Sequence, residues 1–121
     1  MATLDMLKAC LQQNFLLKRL PDVVPLIDKM KNRTAVPGEI ILWQGSSGDE
    51  FYVLGSGLAD VIKDGVVVGH IHPGKSFGEL ALLNNAVRQA SIRASHLCHL
   101  WFFTRRQYRH VAVEQEQQLT E

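Results

Sequence analysis

Between Gly74 and Ser91 the chain gathers the residue types from which an anion site is built: Gly74-Lys75-Ser76-Phe77-Gly78-Glu79-Leu80-Ala81-Leu82-Leu83-Asn84-Asn85-Ala86-Val87-Arg88-Gln89-Ala90-Ser91. A glycine pair brackets a strand end, a short apolar helical turn begins at Glu79, and Arg88 follows nine residues later. Unpaired backbone N–H groups at a helix start favour an anion. An arginine arriving at the same place grips phosphate oxygens in a fork. Glutamate would repel phosphate, so its natural partner is a hydroxyl pair such as a ribose edge. Together these residues describe a pocket for a sugar phosphate with one exposed anionic centre. On spacing alone a blander reading stands beside it, in which Glu79 caps a helix and Arg88 forms a surface ion pair.

Such a loop needs a scaffold, and the flanking texture supplies one. From Ala35 onward, β-branched and aromatic residues come in short runs: Ile40-Ile41-Leu42-Trp43, Phe51-Tyr52-Val53-Leu54, Leu58-Ala59-Asp60-Val61-Ile62, Val66-Val67-Val68 and Ile92 to Phe103. Between them stand Pro37-Gly38, Gly45-Ser46-Ser47-Gly48-Asp49, Gly55-Ser56-Gly57, Asp64-Gly65 and Pro73-Gly74. Asp64-Gly65 between two apolar runs is a strong two-residue hairpin signal, because Gly readily takes the positive φ such a turn needs. Strands at this spacing indicate an antiparallel barrel or jelly roll rather than alternating βαβ units.

Helical periodicity flanks the strands. Leu4, Leu7, Leu11 and Phe15 recur at three- and four-residue steps; Pro21 interrupts, and the pattern resumes through Val24, Ile27 and Met30. Thr3 and Asp22 are expected as helix entries and Asn32 as the end of the second helix. Thr104 reads as the N-cap of a last helix running from Arg105, with Tyr108, Val111 and Ala112 as its packing face.

Composition bounds the function. The 121 residues carry 46% apolar and 21% charged side chains, the signature of a chain with an ordinary buried core. A formal charge of +1 gives no electrostatic case for nucleic acid or an anionic membrane as the main partner. Cys10 and Cys98 form no metal or disulfide pattern, and no apolar run approaches the length of a membrane span. The expectation is an intracellular, cytoplasmic sensor or interaction module, short for an enzyme with its own active site.

The residues themselves add a family. Phe77-Gly78-Glu79-Leu80-Ala81-Leu82, followed by Arg88, Ala90 and Ser91, closely resembles the phosphate-binding cassette of eukaryotic cyclic nucleotide-binding domains. Gly38-Glu39-x-Ile41, Gln44-Gly45-x-x-Gly48-Asp49-x-Phe51-Tyr52-Val53-Leu54 and Gly57 resemble the same family's glycine-punctuated roll, and the likeness runs from about Lys8 to Tyr108. Its texture is similar to the regulatory domains of cGMP-dependent protein kinase and of the cAMP-dependent kinase regulatory subunit. Pro73-Gly74-Lys75 and Leu100-Trp101 are particularly like the former.

The resemblance implies an eight-stranded antiparallel β-roll, jelly-roll-like, within one domain spanning 1–121: N-terminal helices over 1–33, the roll over 34–103 with its cassette at 77–91, and a C-terminal helix over 104–121. It implies that Glu79 accepts a hydrogen bond from the ribose 2′-hydroxyl and Arg88 pairs with the exocyclic phosphate oxygens. Gly78, Leu80, Ala81 and Ala90 would lend backbone contacts, and Gln89 and Ser91 complete the ligand-binding set. The ligand would be cGMP or cAMP, with no cofactor and no metal, and the output control of a protein kinase catalytic domain in the same or a partner chain. Three features depart from the family pattern. Val87 stands where proline usually precedes the arginine, and Gln89 stands where cGMP-preferring members commonly carry Thr or Ser. After Tyr108 only Val111, Val113 and Leu119 are available to cover the base.

Other constellations have plainer roles. His70-x-His72 with Glu79 downstream is similar to the metal-binding motif of cupins, and imidazole suits Zn, Fe or Cu. The spacing to Glu79 is too long, however, and Pro73-Gly74 breaks the strand, so the histidines are read as surface residues. Arg105, Arg106 and Arg109 are read as a solvated helix face, balanced by Glu114, Glu116 and Glu121. Trp43, Trp101, Phe102 and Phe103 are assigned to the core or its edge. Ser56 and Ser91 lack His and Asp partners for nucleophilic catalysis. A degenerate nucleotide fold serving as an interaction module remains the alternative function.

Overall fold

The computed structural model describes residues 2–84 and 86–120, the side chains of Ala2, Leu119 and Thr120 excepted. Helix α1 (Ala2–Gln13), a 3-10 turn (Leu17–Arg19) and helix α2 (Val24–Ile27) precede eight strands. These are β1 (Lys31–Ala35), β2 (Ile40–Leu42), β3 (Glu50–Ser56), β4 (Ala59–Lys63), β5 (Val66–Ile71), β6 (Ser76–Phe77), β7 (Ser91–Ala94) and β8 (Cys98–Thr104). A second 3-10 helix (Glu79–Leu82) lies between β6 and β7, and helix α3 (Arg105–Thr120) closes the described chain. The strands form two antiparallel four-stranded sheets, β1-β8-β3-β6 and β2-β7-β4-β5, which is the expected roll. Among the described residues no helix is long and apolar enough to cross a membrane.

Strand β3 explains why Phe51-Tyr52-Val53-Leu54 shows no polar alternation: both of its faces are covered. Phe51 and Val53 join Leu11, Leu17, Leu26, Phe103 and Val111 in a core between the sheet and the helices. Tyr52 and Leu54 point the other way, into the roll, with Leu100, Phe77 and Ile92. The β4–β5 hairpin turns at Asp64 (φ +52°) and Gly65 (φ +80°), the two positive angles of a type I′ turn.

Several expectations are corrected. Thr3 lies inside α1 rather than before it, and Asn32 sits in β1. Phe15 is 52% exposed, because α1 ends at Gln13 and the Asn14 side chain takes over. Its Oδ1 accepts from Leu16 N at 2.9 Å and Leu17 N at 3.3 Å, replacing the next helical turn. The Ile92 to Phe103 run splits into β7 and β8, with Ser95 N and His96 N both donating to the Leu58 carbonyl at the break. Trp43 is 64% exposed, one residue beyond the end of β2, and is no core residue.

The remaining helix signals take these forms. Asp22 Oδ1 accepts from Val24 N at 3.0 Å at the entry to α2. Thr104 caps α3 reciprocally with Gln107: Gln107 N donates to Thr104 Oγ1 at 3.2 Å and Thr104 N to Gln107 Oε1 at 2.9 Å. Val111 is buried and Tyr108 packs on the helical core. One turn on, buried Gln115 exchanges two bonds with the Asp22 backbone, fastening α3 to the N-terminal helices.

Candidate functional site

Strand β6 delivers the chain to Gly78, which turns it with φ +88° and ψ +17° into the 3-10 helix that begins at Glu79. A side chain would be strained in this left-handed conformation. It would also collide, since a Cβ at Gly78 would lie 2.9 Å from Arg88 Nη1 and 2.9 Å from the Glu50 carbonyl oxygen. Gly48 gives way similarly, with a Cβ there falling 2.9 Å from Arg88 Nη2. Two glycines from different turns thus leave a slot for one guanidinium.

Arg88 occupies that slot. It is buried, its Nη2 donates to the Glu50 carbonyl at 3.0 Å, and its backbone is held by the β2–β3 turn. Arg88 N donates to Ser46 O at 2.7 Å, Gly45 N donates to Arg88 O at 2.9 Å, and Ser47 and Val87 form an antiparallel bridge. No carboxylate pairs with Arg88 among the described residues, so the expectation of a surface ion pair does not hold. A buried cation without a counter-ion is costly unless an anion completes it.

Arg88 lines a cavity of about 180 Å³, whose wall also includes Gly78, Glu79, Leu80, Ala81, Gln89 and Ala90. Glu79 is half-buried, while Leu80 and Val87, also on the wall, are exposed and form an apolar rim. Gln89 is exposed, and its amide donates to Val87 O at 3.3 Å. Ser91 stands apart from these: it lies in β7, and its Oγ accepts from Gln44 N at 2.8 Å. The arrangement places an acceptor, a buried cation and apolar surface around one space, as a phosphorylated sugar with an apolar substituent requires.

Spacing alone does not reveal the cavity's connection to the rest of the fold. Leu82, the last residue of the 3-10 helix, is 1% exposed and packs into the helical core. Arg105 and Arg109 are not simply a solvated face. Arg105 Nη1 donates to Ala81 O and Arg109 Nη2 to Leu83 O, each at 3.3 Å, and Arg105 N donates to Asp49 O at 2.7 Å. These carbonyls at the end of a short helix lack intrahelical donors, and cations suit them. No sequence signal joins Gly48 to Gly78 as the two walls of the arginine slot, and nothing in the α3 sequence marks which carbonyls its arginines reach.

Residues considered for other roles are placed elsewhere. His70 Nδ1 lies 2.9 Å from Asp60 Oδ1, and Arg93 Nη2 donates to Asp60 Oδ2 at 3.1 Å. Arg93 chiefly, with His70, holds the Asp60 carboxyl below the ordinary carboxylate range. His72 is exposed, and among the described residues no three His, Cys, Asp or Glu side chains are grouped to hold a metal. Tyr108, Val111 and Val113 do not line the cavity, and the Leu119 side chain lies outside the described residues. Burial pushes both cysteine thiols up from their usual range.

Comparison with known proteins places the chain among relatives of the same fold. Residues 32–115 match the family model described as cyclic nucleotide-binding domain. The cAMP-dependent protein kinase regulatory subunit of Yarrowia lipolytica is 37% identical over 113 residues, covering 92% of this chain and 30% of the relative. The cGMP-dependent protein kinase, isozyme 1, of Drosophila melanogaster is 33% identical over 110 residues, covering 88% of this chain and 14% of the relative. Among solved structures, the regulatory domain of Toxoplasma gondii PKA with cAMP superposes with a TM-score of 0.74 at 32% identity, covering 88% of this chain and 43% of that one. The chain therefore spans less than a third of the length of the two curated relatives.

Proposed function

The chain belongs to the cyclic nucleotide-binding domain family, and from that premise we propose that the cavity between Glu79 and Arg88 binds cAMP or cGMP as a regulatory sensor. The single observation that carries this reading is the buried Arg88, which has no carboxylate partner among the described residues and lines a cavity. The cyclic phosphate supplies the missing anion, and Arg88 grips its exocyclic oxygens. Glu79 accepts from the ribose 2′-hydroxyl. Gly78, Leu80, Ala81 and Ala90 contribute backbone contacts, and Leu80 and Val87 offer apolar surface to the purine. Gln89 can donate and accept, so it serves either base. Ser91 belongs to this set through the frame that carries Arg88.

The whole 1–121 segment then acts as one regulatory domain whose output is control of a protein kinase catalytic domain, in the same or a partner chain, in the cytoplasm. Its chemistry is binding, not catalysis. Ligand phosphate drawn against Arg88 favours one placement of the 3-10 helix, and Leu82, Arg105 and Arg109 carry that placement to the helical layer. The nucleotide drives this only as far as it binds one state better than the other.

Titration calorimetry with cAMP and cGMP tests the reading. The unsubstituted protein binds at least one of them. Arg88→Ala costs about 2–5 kcal/mol, roughly 30-fold or more in affinity. Unchanged affinity in that variant overturns the phosphate contact, and no binding of either nucleotide at millimolar concentration overturns the function.

A further inference from the structure

Gln44 touches neither the cavity nor Arg88's side chain, yet four hydrogen bonds converge on it and on the residue after it. Its side chain makes a reciprocal pair with the tip of the β4–β5 hairpin: Gln44 Nε2 donates to Asp64 Oδ1 and Asp64 N donates to Gln44 Oε1, both at 2.8 Å. Its backbone N–H donates to Ser91 Oγ at 2.8 Å, on the far side of the arginine loop. The next N–H, that of Gly45, donates to Arg88 O at 2.9 Å. The Asp64 end of the pair is defined by the hairpin itself. Asp64 is the one non-glycine residue with positive φ among the described residues, and its angle of +52° comes from the turn that joins β4 to β5. A side chain that spends both its donor and its acceptor on one such partner is held in a single rotamer.

We infer that Gln44 is a positioning residue for nucleotide binding: by clamping the Asp64 hairpin tip to the β2–β3 turn, it holds the backbone of Arg88 where the guanidinium meets its slot. The inference rests on the function proposed above for Arg88. The clamp fixes the turn from outside the sheet. The turn then fixes Arg88 through the Gly45 and Ser46 backbone and the Ser47–Val87 bridge. The position before Arg88 carries Val87, whose φ is not ring-locked as a proline's would be, so the loop depends on these external bonds for its rigidity. Loosening them spreads Arg88 over positions of which only a fraction are competent, and the apparent affinity falls by that fraction. Both partners are exposed, which keeps the expected effect moderate.

The test has two readouts on one set of variants: Gln44→Ala, Asp64→Ala and Asp64→Asn. The first readout is amide hydrogen exchange at Gly45 and Arg88 in the nucleotide-free protein, which needs no ligand. The second is cAMP and cGMP affinity by calorimetry. Gln44→Ala and Asp64→Ala speed exchange at both amides and weaken nucleotide binding by about three- to tenfold. Asp64→Asn keeps an oxygen acceptor and the backbone donor, so it behaves as the unsubstituted protein in both assays. In an Arg88→Ala background, Gln44→Ala has no further effect on the residual affinity, because its influence runs through that arginine.

Unchanged exchange in Gln44→Ala overturns the clamp. Faster exchange with unchanged affinity overturns its role in binding, as does an equal loss on top of Arg88→Ala. If the unsubstituted protein binds neither nucleotide, the functional reading and the affinity half of the inference fall together. The exchange data still decide whether Gln44 holds the loop.

Discussion

At the scale of single residues, the site depends on what is missing as much as on what is present. Gly78 has no Cβ where one would meet both Arg88 and the Glu50 carbonyl, and its φ of +88° suits no ordinary side chain. Gly78→Ala therefore costs about 1–2 kcal/mol from the backbone conformation alone. It also displaces Arg88. The variant should melt at a lower temperature and lose nucleotide affinity in calorimetry; retention of both would mean that the slot is not formed as described. Asp60 makes a second residue-level prediction. Its folded pKa lies below the unfolded value, so its contribution to stability is complete above the ordinary carboxylate range and is lost as pH falls through the folded value. Denaturant unfolding below about pH 4 should show this loss in the unsubstituted protein, and a flatter curve for Asp60→Asn.

At the scale of elements, the 3-10 helix is the joint of the molecule. Glu79 and Ala81 face the cavity wall while Leu82, at its other end, is buried with Phe51, Phe103 and Val111. The helix is too short to be stable alone, so tertiary packing holds it. Leu82→Ala should cost about 2–5 kcal/mol in urea unfolding, the ordinary penalty for a buried leucine. A loss near zero would show that the helix is not anchored in the helical core. The expected solvated arginine face fits Arg106 and Arg109, which are exposed, but omits the contacts to the 3-10 helix, because charge balance along a helix says nothing about the carbonyls lying opposite it. Arg105 and Arg109 are recruited by backbone acceptors that no sequence pattern displays.

At the scale of the whole molecule, two cores share strands β3 and β8. One fills the roll, the other joins the roll to the helices, and the cavity opens beside the segment that touches both. A ligand that binds only this folded arrangement stabilises all of it. At roughly 100 times its dissociation constant, cAMP or cGMP should add about 2.7 kcal/mol. For a domain of this size that is a rise in melting temperature of roughly 10 °C. A thermal scan in which neither nucleotide moves the midpoint at millimolar concentration would instead favour an interaction module with an inert pocket.

The strand and turn texture, the Asp64-Gly65 hairpin, the Thr104 cap and the Gly78-Glu79…Arg88 pattern were all legible in the chain, because each is a local matter of φ angles, side-chain period or neighbouring groups. Their sum was enough to name the architecture. What the linear order could not convey was decided by contacts between distant segments. Trp43 went to solvent because β2 stops one residue earlier, and Ser91 turned to Gln44 rather than to the cavity. Arg88 became buried, with no carboxylate partner among the described residues, because two glycines from separate turns and the Glu50 carbonyl meet only after the sheets close. A residue's type limits the bonds it can make; which partner arrives within reach is fixed by packing across the whole fold.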